Sequence, residues 1–133
     1  MFEISRIMRT SLLTVKKDTP VYKAMNMLVN HGISGLPVID DNNQLLGILS
    51  EKDTLKLLTD QAVDGMQPVE DFMSVNVIAF TPQDSAVDVC DFFIRNPYRR
   101  VPIVEDGRLV GLVSRRDIID LILKIRGKKD SSI

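Results

Sequence analysis

The sequence predicts a mixed α/β fold, of the α+β kind, made of two copies of one small unit. The segment LPVIDDNNQLLGILSEKD at 36–53 returns as VPIVEDGRLVGLVSRRD at 101–117. The copies match at a shift of 65 residues before a turn and 64 after it, because Asn42-Asn43 faces the single Gly107. One deletion inside a turn leaves strand register intact, so the repeat is structural. Short apolar runs and segments of helical periodicity alternate within each copy.

Length and composition favour a packed pair. A chain of 133 residues with 44% hydrophobic content can bury roughly two thirds of the surface of its unfolded form. One repeat alone is small for a stable core, so we expect the two repeats to stabilise one another. We place the first repeat at 1–65, the second at 66–127 and a flexible tail at 128–133.

Charge and composition exclude several classes of function. The formal net charge is −1 with 26% charged residues, whereas nucleic-acid-binding domains and proteins of anionic membranes are strongly basic. The apolar runs are far shorter than the roughly 20 residues that span a bilayer, and Met1 to Met8 lacks the basic n-region and long h-region typical of a signal peptide. We therefore expect a cytoplasmic protein without nucleic-acid or membrane partners. One His and the lone Cys90 supply neither a metal site, a disulfide nor a catalytic triad, so no enzyme is predicted.

Each repeat opens with a short β run, at 12–15 and at 78–80, followed by an amphipathic helix. Gly32 ends the first helix and Pro97 the second. The apolar positions at core-facing spacing are Val21, Ala24, Met25, Leu28 and Val29, then Ala86, Val89, Cys90, Phe93 and Ile94.

The starts of these helices carry capping signals. Thr19 is the predicted N-cap of the first helix, with Pro20 at N1. Asp84 is the predicted N-cap of the second, with Ser85 at N1. These residue types satisfy, or do not need, the first backbone amides of a helix.

A hairpin and a further helix complete each β-α-β-β-α repeat. The predicted strands are 36–39, 45–49, 101–104 and 109–113. Asp106-Gly107 tolerates positive φ and is a strong hairpin signal. The last helices follow Ser50 and Ser114, and carry Leu55, Leu57 and Leu58, then Ile118, Ile119, Leu121, Ile122 and Ile125.

The motif Gly-x-x-Ser-x-x-Asp lies at the last strand-to-helix junction of both repeats. It occurs as Gly47, Ser50 and Asp53, and again as Gly111, Ser114 and Asp117. One interpretation is a capping box, in which Ser and Asp satisfy the first amides of the helix reciprocally. The other is a ligand site, where free amides and a hydroxyl hold a phosphate and the carboxylate accepts hydrogen bonds from ribose hydroxyls. The two interpretations are compatible.

Four arginines surround the second copy of the motif and favour the ligand interpretation there. They are Arg99, Arg100, Arg115 and Arg116. Guanidinium groups beside a helix N-terminus bind phosphate in a bidentate manner that lysine does not reproduce.

These motifs resemble a tandem pair of cystathionine-β-synthase (CBS) domains, called a Bateman module. The resemblance covers Met8 to Ile125 and rests on a Met, then x-Pro followed by two hydrophobic residues and an acid, then Gly-h-h-Ser-x-x-Asp, twice. It implies two β-α-β-β-α units packed sheet to sheet about a pseudo-twofold axis. It also implies two clefts between the repeats, where adenosine-containing ligands bind.

The resemblance also implies roles for individual residues. The carboxylates of Asp53 and Asp117 would hold ribose hydroxyls, and Ser50 and Ser114 would lie near ribose or phosphate. Adenine would pack on Ile48 or Leu112, and its edge would meet backbone groups of Leu13, Thr14, Ile78 and Ala79.

Phosphate binding is expected mainly in the second repeat. Arg99-Arg100, directly before Val101, fall where nucleotide-binding members of the family place basic residues. The matching residues of the first repeat, Ser34-Gly35, carry no charge. We therefore expect the Asp117 cleft to be the stronger site, and the Asp53 cleft to be weak, empty or served by arginines that reach across.

The sequence thus predicts a regulatory module, with no required cofactor, that senses AMP, ADP or ATP and changes shape or assembly on binding. S-adenosylmethionine or a dinucleotide are alternative ligands. A second hypothesis is a ligand-independent association module, since family members commonly form homodimers through their helices. The effector protein or domain is not indicated by any motif.

Overall fold

The computed structural model of the protein describes residues 2–127. The predicted tail, 128–133, lies outside the described residues. The chain divides into two compact units, each built on one repeat. The first-repeat unit comprises Leu13–Val77 and Gly107–Leu109, and the second-repeat unit comprises the described residues up to Leu12, Ile78–Asp106 and those from Val110 onward.

Each unit combines one repeat with the segment that precedes the other repeat. Ile4 is completely buried in the core of the second-repeat unit, and its amide donates to the Asp84 carbonyl at 2.9 Å. Val69 is equally buried in the first-repeat unit and donates to the Thr19 carbonyl at 2.8 Å. The boundary between the repeats after residue 65 remains a prediction. In the compact units, the residues up to Leu12 group with the second repeat, and residues 66–77 group with the first. We call these two stretches the leading segments, since each precedes the other repeat in the chain.

The first-repeat unit contains a three-stranded sheet, one helix of 11 residues and two helices of four residues. Its elements are β1 (Val15–Lys16), α1 (Val21–His31), β2 (Gly35–Ile39), β3 (Leu45–Ser50), α2 (Glu51–Thr54) and α3 (Lys56–Thr59). The strand order is β1-β2-β3, with β1 parallel and β3 antiparallel to β2. Its core residues are Val15, Val21, Ala24, Leu28, Leu36, Val38, Leu49, Val69 and Phe72.

The second-repeat unit has a two-stranded sheet and two helices of 10 and 11 residues. Its elements are α4 (Ala86–Arg95), β4 (Arg100–Glu105), β5 (Arg108–Ser114, whose first two residues group with the other unit) and α5 (Arg115–Ile125). Its core residues are Ile4, Ala86, Val89, Phe93, Val101, Ile103, Val113 and Ile118. The mixed α/β fold class is confirmed, and no helix within residues 2–127 is long and apolar enough to cross a bilayer.

The opening β runs of the repeats are shorter than predicted. In the first repeat the strand is Val15–Lys16 rather than 12–15. In the second, only Phe80 joins the sheet, through a parallel bridge to Ile103. The ladder does not continue beyond Phe80, because the next donor position is Pro82, which lacks an N–H group.

Both predicted N-caps of the first helices are wrong. Pro20 occupies the N-cap position of α1, and the carbonyl of Gln67 accepts from the Val21 amide at 2.9 Å in place of a side-chain cap. At α4 the N-cap is Ser85, whose Oγ accepts from the Val87 amide at 3.0 Å. The segment that precedes the second repeat therefore supplies an acceptor for α1 that local sequence patterns do not predict.

The core-facing stripes of α1 and α4 are confirmed except at their ends. The residues at positions 1, 4 and 8 of each helix are buried. Val29 is 80% exposed and Ile94 is 77% exposed. Each residue of an α-helix rotates by about 100° about the axis. The ninth residue therefore points about 80° away from the first, outside the buried face.

The helix predicted after Ser50 is interrupted. Leu55 separates α2 from α3, and its amide donates to the Lys52 carbonyl at 3.2 Å, which tightens the turn toward 3-10 geometry. Leu55 and Leu58 are exposed. The corresponding α5 is continuous, although Ile119, Ile122 and Ile125 are about half exposed.

The predicted hairpin turn is confirmed. Asp106 and Gly107 both have positive φ, 53° and 78°, as a type I′ turn requires. The Gly107 carbonyl accepts from the Leu45 amide at 3.0 Å, within the first-repeat unit. The shorter turn of the second repeat is thus paired with the start of β3.

Two glycines allow close approach of the segments beside the strands. A Cβ on Gly47 would lie 2.6 Å from the backbone oxygen of Ser74. A Cβ on Gly111 would lie 2.6 Å from Met8 Sδ and 3.1 Å from the Arg9 oxygen. The backbone beside Gly47 is fixed, because Ile48 and Ser74 exchange two hydrogen bonds of 3.0 Å.

We predict that Gly47→Ala lowers the free energy of unfolding by about 1–3 kcal/mol, as overpacking does. Gly111→Ala is the matched control and should be less destabilising, because the Met8 thioether can rotate away. Urea unfolding of both variants measures the difference. Equal free energies of unfolding for Gly47→Ala and the parent would contradict this packing.

Candidate functional site

The Ser-x-x-Asp motif of the second repeat forms a complete capping box. Ser114 is the N-cap of α5, and its Oγ accepts from the Asp117 amide at 3.2 Å. In return, Oδ2 of Asp117 accepts from the Ser114 amide at 2.8 Å. The capping interpretation is therefore confirmed, and it fixes the orientation of the carboxylate.

The first repeat reproduces this geometry. The Asp53 amide donates to Ser50 Oγ at 3.4 Å, and Oδ2 of Asp53 accepts from the Ser50 amide at 2.8 Å. Both aspartates are half-buried. Each carboxylate thus uses one oxygen for its helix and keeps the other for a different partner.

The first amide of each helix is also satisfied. The Arg115 amide donates to the Arg99 carbonyl at 3.0 Å, and the Glu51 amide donates to the Ser34 carbonyl at 2.9 Å. Two of the first three amides of α5 therefore already have acceptors. A phosphate at this end of the helix would depend more on side chains than on the free amides that the sequence suggested.

Sequence reasoning missed Arg9. Its Nε donates to Oδ1 of Asp117 at 3.2 Å and forms an ion pair, with side chains 68% and 11% exposed respectively. Backbone hydrogen bonds hold Arg9 beside β5, since its amide donates to the Leu112 carbonyl at 2.8 Å and its carbonyl accepts from the Leu112 amide at 3.0 Å. Arg9 directly follows Met8, which the repeat aligns with Met73. Its place in the repeat, next to a methionine of the family motif, is the feature of the sequence that could have singled it out.

The repeat aligns Arg9 with Ser74, which pairs with Ile48 in the same way. Ser74 carries no charge. Among residues 2–127, no side chain donates to Oδ1 of Asp53. The two repeats thus share a backbone arrangement and differ in the charge beside the carboxylate.

The four arginines of the second repeat have different environments. The Arg115 guanidinium donates to the carbonyls of Phe93 at 3.2 Å and Asn96 at 2.8 Å, and closes the C-terminal end of α4. Arg99, Arg100 and Arg116 are exposed. The connection between Arg99 and the first amide of α5 brings these side chains to the same end of the helix as Asp117.

The residues predicted to meet adenine lie on or beside the strands. Leu112 in β5 and Ile48 in β3 are half-buried and come two residues before the N-cap serines. Ile78 and Ala79 precede the Phe80 bridge, where they are 51% exposed and half-buried respectively. Leu13 and Thr14 precede β1 in the first-repeat unit. Their contacts with a ligand remain predictions.

The remaining singled-out residues lie apart from these junctions. His31 is the exposed last residue of α1, and Cys90 is a half-buried free thiol in α4. Within residues 2–127, no group of three or more His, Cys, Asp and Glu side chains is arranged to hold a metal ion.

Comparison with known proteins identifies the repeats. The CBS domain model matches residues 4–60 and 69–124. An uncharacterized protein of Methanocaldococcus jannaschii is 31% identical over 119 residues, which are 90% of this chain and 42% of that protein. The chain thus spans less than half the length of this relative.

Solved structures agree with the family model. The structure of CBSX2 of Arabidopsis thaliana in complex with AMP has a TM-score of 0.84 and 29% identity, and the match covers 95% of this chain and 99% of that one. The CBS domain pair of protein MJ0100, in complex with 5′-methylthioadenosine and S-adenosyl-L-methionine, has a TM-score of 0.77 and 27% identity, with 97% and 99% covered. The chain therefore belongs to the CBS domain family and contains two CBS domains in tandem.

Proposed function

We propose that the protein is a regulatory module that binds AMP, ADP or ATP at the junction of β5 and α5. The observation that carries the proposal is the Asp117 carboxylate, whose Oδ2 is fixed by the capping box while Oδ1 already binds a guanidinium. An oriented carboxylate beside several arginines suits a ligand with both ribose hydroxyls and phosphate. We propose no catalytic activity for the protein.

The ribose would bind at Asp117. A carboxylate is an acceptor only, and vicinal hydroxyls can donate to it together. Its orientation is preset by the hydrogen bond from the Ser114 amide, which reduces the entropy lost on binding. Ser114 Oγ accepts from the Asp117 amide and can still donate its own proton to the ligand.

Adenine would lie against the half-buried side chain of Leu112, with its edge toward backbone groups of Ile78 and Ala79. Packing of a flat ring on an aliphatic side chain and hydrogen bonds from extended backbone are common features of small-molecule sites. Leu112 lies only two residues before Ser114, so one short segment would contact both the adenine and the ribose of adenosine.

The phosphate would be held by the exposed arginines Arg99, Arg100 and Arg116. The sequence also predicts Arg115 as a phosphate ligand. Its guanidinium donates to two backbone carbonyls of α4, so we give it the role of positioning the end of that helix beside Arg99.

The first repeat would form the weaker site. Asp53, Ser50 and Ile48 repeat the geometry of the second junction, and Leu13 and Thr14 precede its first strand. Ser34-Gly35 stand in place of the Arg pair, and Ser74 stands in place of Arg9. The ribose and adenine positions are thus repeated without the charges that would bind a phosphate.

The solved structures support an adenosine-containing ligand. AMP is bound by CBSX2, and 5′-methylthioadenosine and S-adenosyl-L-methionine by MJ0100. The arginines of this chain favour a phosphorylated member of that group over S-adenosylmethionine, and a dinucleotide would satisfy the same chemistry.

Regulation requires that the ligand bind one conformation or assembly more tightly than another. We include in the proposal a homodimer, a cytoplasmic location and an effector protein or domain as the receiver of the signal. The alternative function is a ligand-independent association module. Leu58, Val29 and Ile94 favour it, since these apolar side chains are 92%, 80% and 77% exposed.

We predict that the nucleotide-stripped protein binds AMP, ADP or ATP saturably, and that Asp117→Ala lowers the affinity at least tenfold. Isothermal titration calorimetry measures this. Asp53→Ala is a matched control, because it removes an equivalent capping carboxylate and should weaken the tighter site little. Equal loss of affinity in both variants would contradict the assignment to the second repeat.

The two functions also differ in thermal unfolding. A ligand that binds only the native state stabilises it by mass action, so AMP at 100 times its Kd should add about 2.7 kcal/mol. We expect the unfolding temperature to rise with AMP concentration in scanning calorimetry. An unfolding temperature that depends on protein concentration and not on any of the three nucleotides would favour the association module.

A further inference from the structure

We propose that Arg9 determines the preference of the second-repeat site for phosphorylated ligands. Its guanidinium holds Oδ1 of Asp117, and when a ribose hydroxyl takes that oxygen, Arg9 transfers to the phosphate of the same ligand. This inference rests on the proposed nucleotide function. It assigns a role to a residue that lies 108 positions from Asp117 in the sequence.

Both oxygens of Asp117 are engaged. Oδ2 accepts from the Ser114 amide at 2.8 Å, and Oδ1 accepts from Arg9 Nε at 3.2 Å. The Asp117 side chain is only 11% exposed, and the Arg9 guanidinium lies at its Oδ1. A ribose hydroxyl that takes the position of Arg9 Nε on Oδ1 therefore displaces the guanidinium.

The Arg9 side chain can move while its backbone stays in place. The side chain is 68% exposed, whereas the amide and carbonyl are both hydrogen-bonded to Leu112, at 2.8 and 3.0 Å. Leu112 is the residue proposed to pack on adenine. A released guanidinium thus remains anchored beside the ligand.

The released guanidinium needs another anion. Arginine stays protonated under all relevant conditions, so it cannot respond by losing its charge. A nucleotide supplies a phosphate near the arginines at the start of α5, and exchange of a carboxylate for a phosphate keeps the charges balanced. Adenosine supplies no anion, so its binding breaks the ion pair without replacement.

The first repeat provides an internal contrast. Ser74 pairs with Ile48 through the same two backbone hydrogen bonds, each 3.0 Å, but offers no cation to Asp53. The backbone bridge is therefore a shared feature of both repeats. The ion pair belongs to the second repeat, where Arg99 and Arg100 also supply charge.

The test compares AMP with adenosine by isothermal titration calorimetry on the parent protein, Arg9→Ala and Arg6→Ala. Arg6 is an exposed arginine in the same leading segment, so its variant controls for net charge. We expect Arg9→Ala to bind adenosine about two- to fivefold more tightly, the range of an exposed ion pair. We expect it to bind AMP about tenfold more weakly, as loss of a charge-assisted contact implies. Arg6→Ala should leave the ratio of the two affinities unchanged.

An unchanged ratio of AMP to adenosine affinity in Arg9→Ala would overturn the inference while leaving the nucleotide function in place. Equal weakening of both ligands would also overturn it, since that result indicates a packing role for Arg9. If the parent protein binds neither ligand, the proposed function itself fails. Circular dichroism of each variant verifies that the affinities refer to folded protein.

Discussion

The reciprocal hydrogen bonds between Ser114 and Asp117 are the interaction on which the candidate site depends. They end β5, begin α5 and fix one carboxylate oxygen, all through backbone amides that would otherwise lack partners. The same bonds determine which oxygen faces Arg9. Under the proposed function one side chain would serve both capping and ligand binding, because stabilising the helix also orients the group that would meet a ribose.

The two repeats show how one backbone arrangement can support different chemistry. Gly47 and Gly111 allow a neighbouring segment to lie directly against β3 and β5, and a two-bond bridge follows each glycine. The residue that pairs with the strand through this bridge is Ser74 in the first repeat and Arg9 in the second. Because the bridge is formed by backbone atoms, either side chain is tolerated structurally, and the charge is available for function.

The sequence predicted the features that depend on residues close together in the chain. The capping boxes, the buried faces of α1 and α4 and the Asp106-Gly107 turn all follow from local spacing. The features it missed depend on distant backbone. The cap of α1 is the carbonyl of Gln67, and the Asp117 carboxylate meets Arg9, because each leading segment packs on the other repeat. The motif and the arginines suggest ribose and phosphate, whereas the predicted adenine contacts rest on the family resemblance.

The most direct measurement is a titration of the ¹⁵N-labelled protein with AMP, followed by amide chemical-shift changes in two-dimensional NMR spectra. Binding at the second junction predicts the largest changes at 112–117, at Arg99-Arg100 and at Arg9, with small changes at 48–53. The largest changes at 48–53, or no changes at saturating AMP, would contradict a nucleotide site headed by Asp117.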